Sequence, residues 1–343
     1  MKKTLIADIR DNQEIDSIFM VKDSGVAETR AGKPYLRLTL MDASGEIAGR
    51  AWDNAERLAA VCSKGAVVRV RGQASSYRDQ LQLKVTGVEP VESAEVVPGD
   101  FMPKSPVEPK IMARDFLKLV DSVEDPHLSQ LLATFFSRKK NLHLFKTAPA
   151  AKSMHHAYIG GLLEHTLGVA TLADRVAEIY PVIDRDLLMA GAMLHDIGKL
   201  REFSFDTFPF DYSEAGRLVG HMVLGVEMIQ DAAREIKKFP DATLKHLTHL
   251  VLSHHGRHEF GSPVLPMILE AFVLNFIDDL DAKVNYVAGL SKNAKGEEYQ
   301  FSEYQRNLER FLLIRKPAEQ EVKQAGDGPE IDPRQKILWQ GNK

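Results

Sequence analysis

The run Leu194-His195-Asp196-Ile197-Gly198-Lys199 closes an apolar stretch that begins at Leu187. Two metal-binding side chains, His195 and Asp196, stand side by side where that stretch ends. Neighbours on an α-helix point about 100° apart, so the pair cannot share a helix face. The two can share an ion if the helix stops there and both side chains lean into one cavity. The run therefore reads as the end of a buried helix that carries a site, and it sets the search for partners on neighbouring helices.

Histidine usage supports that search. All 12 histidines fall between His127 and His258, with none before or after. His165 sits three residues after Leu162 and four before Val169, on an inward stripe of a predicted helix. His221 follows Gly220 at the start of another helical pattern. His254-His255-Gly256 ends a further helix, with the glycine as its cap. Asp278 lies in Phe276-Ile277-Asp278-Asp279-Leu280-Asp281, on a helix otherwise apolar from Ile268. His155 and His156 precede the Gly160-Gly161 turn and are candidates for substrate contact. His127, His143, His246, His249 and His258 read as surface or packing residues.

Helical periods run from Lys110 to about residue 315, with the motif core at about 150–290. Their apolar stripes include Phe116, Leu117 and Val120; Val223, Val226 and Ile229; and Leu269, Phe272, Val273 and Phe276. Before them, residues 1–95 read as strands. Ile15–Val21, Tyr35–Met41, Glu46–Trp52, Ala66–Ala74 and Leu81–Val88 are predicted strands, with a short helix at Asn54–Ala60. Five short strands and one helix suit a small barrel of the oligonucleotide/oligosaccharide-binding (OB) type. Such barrels hold single strands on a basic groove with aromatic platforms. Tyr35 and Arg37 share one outward face, and Arg69 and Arg71 another; Tyr77, Arg78 and Lys84 lie at or near a hairpin. These seven are the nucleic-acid-binding candidates, although any solvated sheet face carries similar residues. Trp52 is as compatible with core as with surface. The stretch 96–109, with Pro98, Pro103, Pro106 and Pro109, is a predicted linker, and 316–343 a mobile tail in which Ile337-Leu338-Trp339 is able to dock. The expected fold is multidomain: an all-β OB barrel followed by an all-α helical domain.

Imidazoles suit first-row transition metals, and a carboxylate is able to bridge two ions that together serve phosphoryl displacement. With a single cysteine, Cys62, no cysteine-rich structural zinc site is expected. The order His, His-Asp, His, His-His, Asp on consecutive helices resembles the HD superfamily of metal-dependent phosphohydrolases, over roughly residues 150–290. The resemblance implies that His165, His195, Asp196 and Asp278 hold one ion, and that His221, His254 and His255 add a second. Asp279 and Asp281 rival Asp278, which is preferred because it begins the segment that matches the family's last aspartate. His155-His156-Ala157-Tyr158-Ile159-Gly160-Gly161-Leu162-Leu163-Glu164-His165-Thr166, Ser253-His254-His255-Gly256 and Glu259-Phe260-Gly261-Ser262-Pro263 further resemble the YhaM-type 3′→5′ exoribonucleases, which carry an OB domain before the HD domain. Asn275 departs from the histidine expected near the final aspartate. Lys199 is placed to hold a substrate phosphate as a point charge, or is a solvated lysine at a helix end.

The whole chain fits this reading. Its 343 residues suggest two or three domains, and 44% apolar with 27% charged residues is ordinary for a globular protein. A net charge of −4 requires any nucleic-acid contact to be local. No run approaches the roughly 20 apolar residues of a membrane span, and Met1–Arg10 lacks the apolar core of a signal peptide. A cytoplasmic protein without membrane attachment is expected. The resemblance implies a metal-dependent 3′→5′ exonuclease that hydrolyses phosphodiester bonds of single-stranded RNA, or DNA, to nucleoside 5′-monophosphates. Asp196 and Lys199 are its catalytic candidates. It uses two divalent transition-metal ions, with manganese favoured and iron or another ion open, and a homo-oligomer is compatible with it. The alternatives are a phosphohydrolase of free or cyclic nucleotides, and a non-catalytic nucleic-acid-binding adaptor.

Overall fold

Leu36, Leu38 and Leu40 are fully buried and Arg37 faces outward, so the alternation at 35–41 becomes strand β2 (Pro34–Asp42). The same period of two builds β1 (Glu14–Glu28), β3 (Gly45–Ala51), β4 (Val67–Tyr77) and β5 (Gln80–Pro90). The computed structural model describes residues 4–29, 31–77, 80–92, 101–152, 156–205, 210–292, 294 and 297–316. The strands close into a barrel in the order β1-β2-β3-β5-β4, with α1 (Ala55–Ala59) between β3 and β4. Only the β3–β5 pair is parallel among these neighbours. Register shifts at Val21/Asp23 and Arg71/Gly72 mark bulges that bend the two longest pairings, as a small barrel demands. Phe19, Val21, Leu38, Val68, Val70 and Leu83 fill its interior. This is the OB barrel read from the sequence. β1 outruns its apolar segment by seven residues because backbone pairing with β2, rather than burial, holds Lys22–Glu28.

The proline-rich stretch is not a free tether over its second half. Phe101 and Met102 are buried with Met20 and Met41 of the barrel and Phe210 of the helical part. Backbone bonds from Ser105 N to Ile159 O (3.0 Å) and Ile159 N to Pro103 O (3.0 Å) hold the segment in place. Residues 93–100 of the predicted linker lie outside the described residues. An ion pair from Lys64 to Asp211 (2.6 Å) adds a polar tie between barrel and helices.

Pro109 starts α2 (Pro109–Asp121), where its missing N–H costs nothing. Then come α3 (Pro126–Phe136), α4 (Lys139–Thr147), α5 (Gly161–Ile179), α6 (Arg185–Leu194) and α7 (Lys199–Glu202). The hairpin β6 (Phe203–Ser204) and β7 (Asp211–Tyr212) follows, then α8 (Glu214–Leu218), α9 (His221–Arg234), α10 (Asp241–Ser253) and α11 (Leu269–Lys292). Helix α6 is the axis of the core. Every residue from Leu187 to Leu194 is buried, the signature of a helix surrounded on all sides. Asp184 caps its start by accepting from Leu187 N.

Contacts divide the chain into two compact units, Met1–Tyr286 and Val287–Lys343. In the second, β8 (Tyr299–Phe301) pairs with β9 (Leu313–Arg315). With β6–β7 this makes the C-terminal part mainly, not purely, helical. Two predicted stripes are corrected. On α11 the buried face is Ala271, Leu274 and Ile277, while Phe272 and Phe276 are exposed. On α9 it is Leu224, Met228 and Ile229, while Val223 is exposed. Both helices carry apolar residues on more than one face, so periodicity alone did not select the inner one. Among the described residues no helix is long and apolar enough to cross a membrane. The tail from residue 317, with Ile337-Leu338-Trp339, lies outside the described residues.

Candidate metal centre

Because α6 is central, its C-terminal end delivers His195 and Asp196 to the interior, and both are buried. Four helices then converge on the pair. α5 brings His165, the start of α9 brings His221, the end of α10 brings His254 and His255, and α11 brings Asp278.

Each histidine is anchored through Nδ1. His195 donates to Ala192 O (2.9 Å), His254 to Val251 O (2.7 Å) and His255 to Phe260 O (2.8 Å). A carbonyl only accepts, so these three Nδ1 atoms carry protons and Nε2 is the ring atom left to face the site. His165 Nδ1 faces Asp281 Oδ2 (2.7 Å), and His221 Nδ1 faces Glu202 Oε1 (3.2 Å). Such outer partners set tautomer and ring direction at metal sites.

Three groups of ligand atoms result among the described residues. His165, His195 and Asp278 form one and His221, His254 and His255 another; His156, His165 and Asp281 form the third, on the far edge of the His165 ring. Asp196 stands between the first two. Its Oδ2 lies 3.5 Å from His165 Nε2 and 3.4 Å from His195 Nε2, while its Oδ1 lies 3.5 Å from His221 Nε2 and 3.8 Å from His254 Nε2. Asp196 Oδ1, His221 Nε2 and His254 Nε2 are buried without a hydrogen-bond partner among the described residues. Each such atom costs about 1–3 kcal/mol when left unsatisfied. His165 Nε2 and His195 Nε2 approach to 3.1 Å, a contact that needs a cation or proton between the lone pairs.

The electrostatics agree. Burial pushes the Asp196 carboxyl up, but Lys199, His195 and His221 together hold it well below the usual carboxylate range. Burial acts on Asp278 likewise, and the His165 bond with the neighbouring imidazoles outweighs it and pulls the carboxyl down. Burial keeps the rings of His254 and His255 neutral, and neighbouring imidazoles add to it. Burial also opposes charge on His165, yet its bonds to Asp278 and Asp281 raise it to about 9. Anionic carboxylates beside the neutral imidazoles of His254 and His255 are the protonation states that divalent metals require, whereas a metal at His165 would have to displace the proton that Asp278 and Asp281 favour there. The donor set fits divalent metal.

The three neighbouring aspartates separate cleanly. Asp278 Oδ1 lies 3.1 Å from His165 Nε2. Asp281, one turn on, bonds the opposite edge of the same ring and is held near 2: burial raises it, and its bonds to His156 and His165 outweigh that. Asp279 points away and pairs with Lys283 at 2.6 Å. Lys199 is buried with Nζ 2.5 Å from Asp196 Oδ2, so it is not a solvated helix end. His156 is also buried. It bonds Asp281 (2.9 Å) and the Tyr158 hydroxyl (2.9 Å), so it supports the His165 network rather than facing substrate. His155 lies outside the described residues. Asn275 Nδ2 donates to His254 O (2.7 Å) and fixes the turn at Gly256, whose φ is +75°.

On the barrel, Tyr35 stacks on Trp52 with centroids 4.8 Å apart, and the Arg50 guanidinium sits 5.7 Å from the Tyr35 ring. Trp52 is 37% exposed, so it belongs to this outer face and not to the core. Arg37, Arg50 and Lys84 are register neighbours across β2, β3 and β5. Arg69 and Arg71 lie on another face and are ion-paired: Arg69 with Asp16 (2.6 Å), Arg71 with Glu89 (3.1 Å). Tyr77 is exposed, and Arg78 lies outside the described residues. Sequence reasoning missed Arg50 and the orienting roles of Glu202 and Asp281. Asp281 stood in the sequence only as a rival ligand, and Glu202 carries no spacing signal at all.

Comparison with known proteins adds an independent line. A model of the HD domain matches residues 162–283, and a model of an OB-fold nucleic acid binding domain matches residues 19–91. The chain is 35% identical over 288 residues to the 3′-5′ exoribonuclease YhaM of Bacillus subtilis (strain 168), covering 84% of this chain and 90% of that protein. It is 35% identical over 289 residues to the protein of the same name from Oceanobacillus iheyensis, covering 83% and 89%. With both domains matched in the same order and most of each chain covered, the chain belongs to the YhaM 3′-5′ exoribonuclease family.

Proposed function

We propose that this chain is a metal-dependent 3′→5′ exoribonuclease that shortens single-stranded RNA and releases nucleoside 5′-monophosphates. The observation that carries the reading is Asp196, whose two carboxylate oxygens face two separate histidine groups. His165, His195, Asp196 and Asp278 would hold one divalent ion and His221, His254 and His255 a second, with Asp196 between the two groups and manganese the favoured metal. Bound there, the ions supply Lewis-acid charge for the phosphoryl group and lower the pKa of water. Lys199 adds a positive charge at the edge of the carboxylate cluster, placed to hold a non-bridging phosphate oxygen. His165, His195, Asp196 and His254 are buried, and low-dielectric surroundings strengthen the charges they carry or meet.

The barrel captures the strand. Of the residues on its surface, the Tyr35–Trp52 stack with Arg37, Arg50 and Lys84 combines aromatic faces with positive charge, as single-strand binding requires. Arg69 and Arg71 hold tighter ion pairs, with Asp16 (2.6 Å) and Glu89 (3.1 Å), than Arg37 does with Asp23 (3.5 Å), and contribute less. Trp52→Ala is expected to weaken binding of a single-stranded RNA roughly 5- to 100-fold, from the loss of about 1–3 kcal/mol of stacking. Fluorescence anisotropy at fixed salt checks this, and an unchanged Kd rejects the assignment of this face.

Asp281→Ala leaves every proposed ligand in place but frees the His165 ring. It is expected to raise the manganese concentration for half-maximal activity about 10- to 100-fold. A manganese titration measures it, and an unshifted midpoint excludes the orienting role. The decisive test of the function is a time course of 5′-labelled single-stranded RNA with manganese. A ladder that shortens from the 3′ end supports the reading. Intact RNA alongside turnover of free or cyclic nucleotides overturns it.

A further inference from the structure

The loop that follows the His254-His255 pair is built around an aromatic ring that the described residues leave uncovered. His258–Phe260 form a single 3₁₀ turn. Phe260 N and Ser262 N both donate to Arg257 O (3.1 Å each), Gly261 N donates to His258 O (2.9 Å), and His258 Nδ1 donates to Ser262 O (2.9 Å). Five residues are thus pinned by four hydrogen bonds. Yet the Phe260 side chain remains 63% exposed, with the Arg257 guanidinium 5.9 Å from its ring centre.

A single exposed apolar residue needs no explanation in general. This one differs in its attachment. The Phe260 carbonyl accepts from His255 Nδ1 (2.8 Å), while the His255 ring also belongs to the His221-His254-His255 group. One imidazole therefore separates the loop from the candidate metal centre. An exposed aromatic ring carrying a guanidinium, rigidly tied beside a phosphate-processing centre, has the chemistry of a base-stacking platform. Every nucleobase offers a π-face, so such a platform is tolerant of sequence, as an exonuclease that proceeds along a strand requires.

We infer that Phe260, backed by Arg257, is the platform on which the nucleobase of the 3′-terminal nucleotide stacks while its 5′-phosphate lies at the metal centre. This rests on the exoribonuclease reading above. Stacking sets how long the terminal nucleotide stays in register and leaves the hydrolytic groups untouched. Its loss therefore falls on KM more than on kcat.

The test compares two 5′-labelled oligoribonucleotides with manganese, one with an ordinary 3′-terminal nucleotide and one whose terminal ribose lacks its base. The wild-type chain is expected to favour the base-bearing end about tenfold in kcat/KM, the scale of one base–aromatic stack. Phe260→Ala is expected to bring that ratio to about one through a raised KM on the base-bearing end, with turnover of the abasic end unchanged. Phe260→Trp is expected to restore the preference. Unchanged turnover of the abasic end also shows that the loop and His255 are intact in the variant. A wild-type ratio retained by Phe260→Ala overturns the inference and leaves the exoribonuclease reading standing. Failure of the wild-type chain to shorten either oligonucleotide overturns both.

Discussion

Asp196→Ala is expected to lower the rate of RNA shortening by roughly 10³-fold or more, because ionic stabilisation of a phosphoryl transition state is worth several kcal/mol and each ~1.4 kcal/mol is a factor of ten. Among the described residues Asp196 is the one side chain whose two oxygens reach both histidine groups, so its removal affects both at once. It also leaves the buried Lys199 ammonium without its carboxylate, and breaking a buried pair from one side costs about 3–5 kcal/mol. Asp196→Asn is the companion that separates chemistry from folding, since it keeps the volume and the lysine contact but removes the negative charge. Both variants are expected to bind single-stranded RNA with wild-type affinity, because the barrel is unchanged. Rates from a labelled-RNA time course, with anisotropy for binding and circular dichroism for folding, check all three points. Wild-type turnover by Asp196→Asn would show that the carboxylate is no ligand.

Gly198→Ala is expected to be nearly as damaging, although residue 198 has no side chain to bind anything. A Cβ at this position falls onto the carbonyl of His221 and against the amide of Gly225, both backbone atoms that cannot swing aside. The turn after the His195-Asp196 pair and the start of α9 touch at this point, and that contact sets how far His221 stands from Asp196. Forced separation is expected to cost about 1–3 kcal/mol of stability by overpacking. It moves His221 out of its 3.5 Å relation to Asp196, with activity down roughly 100-fold, the upper end for disturbing a ligand's support. Gly289→Ala is the control. A Cβ there meets nothing within 4 Å, and alanine in a helix interior is favoured over glycine by about 1 kcal/mol. Thermal melts and manganese-dependent activity of the two variants compare directly, and a fully active Gly198→Ala would remove the case for this packing constraint.

Much of the architecture was legible in advance for local reasons. Strand alternation such as Leu36-Leu38-Leu40 depends only on neighbours along the chain, and it identified the barrel. The all-apolar run Leu187–Leu194 announced a helix buried on every side, and with it an interior position for His195 and Asp196. Where apolar residues spread over several faces, local pattern failed. Helix α11 presents Phe272 and Phe276 outward, the latter 68% exposed, because its inner face is the one that also carries Asp278 and Asp281. The linker reading failed in its second half for a related reason. Prolines signal an extended chain, but Phe101 and Met102 find an apolar seat between barrel and helices that no local pattern reveals.

The division at the site itself is sharp. Sequence alone determined the residue types, their order and their helices, since a chemistry of imidazoles and carboxylates is written in composition and spacing. Tertiary structure alone decided how they work together. It turned Asp279 away to Lys283, set Asp281 one turn beyond Asp278, withdrew His156 from the surface, and gave Asp281 and Glu202 their orienting bonds. It also set the two oxygens of Asp196 toward different histidine groups. Those distinctions rest on ångström-scale distances between side chains up to 125 positions apart, as with His156 and Asp281. Only the packing of α5, α9, α10 and α11 around the end of α6 can set such distances.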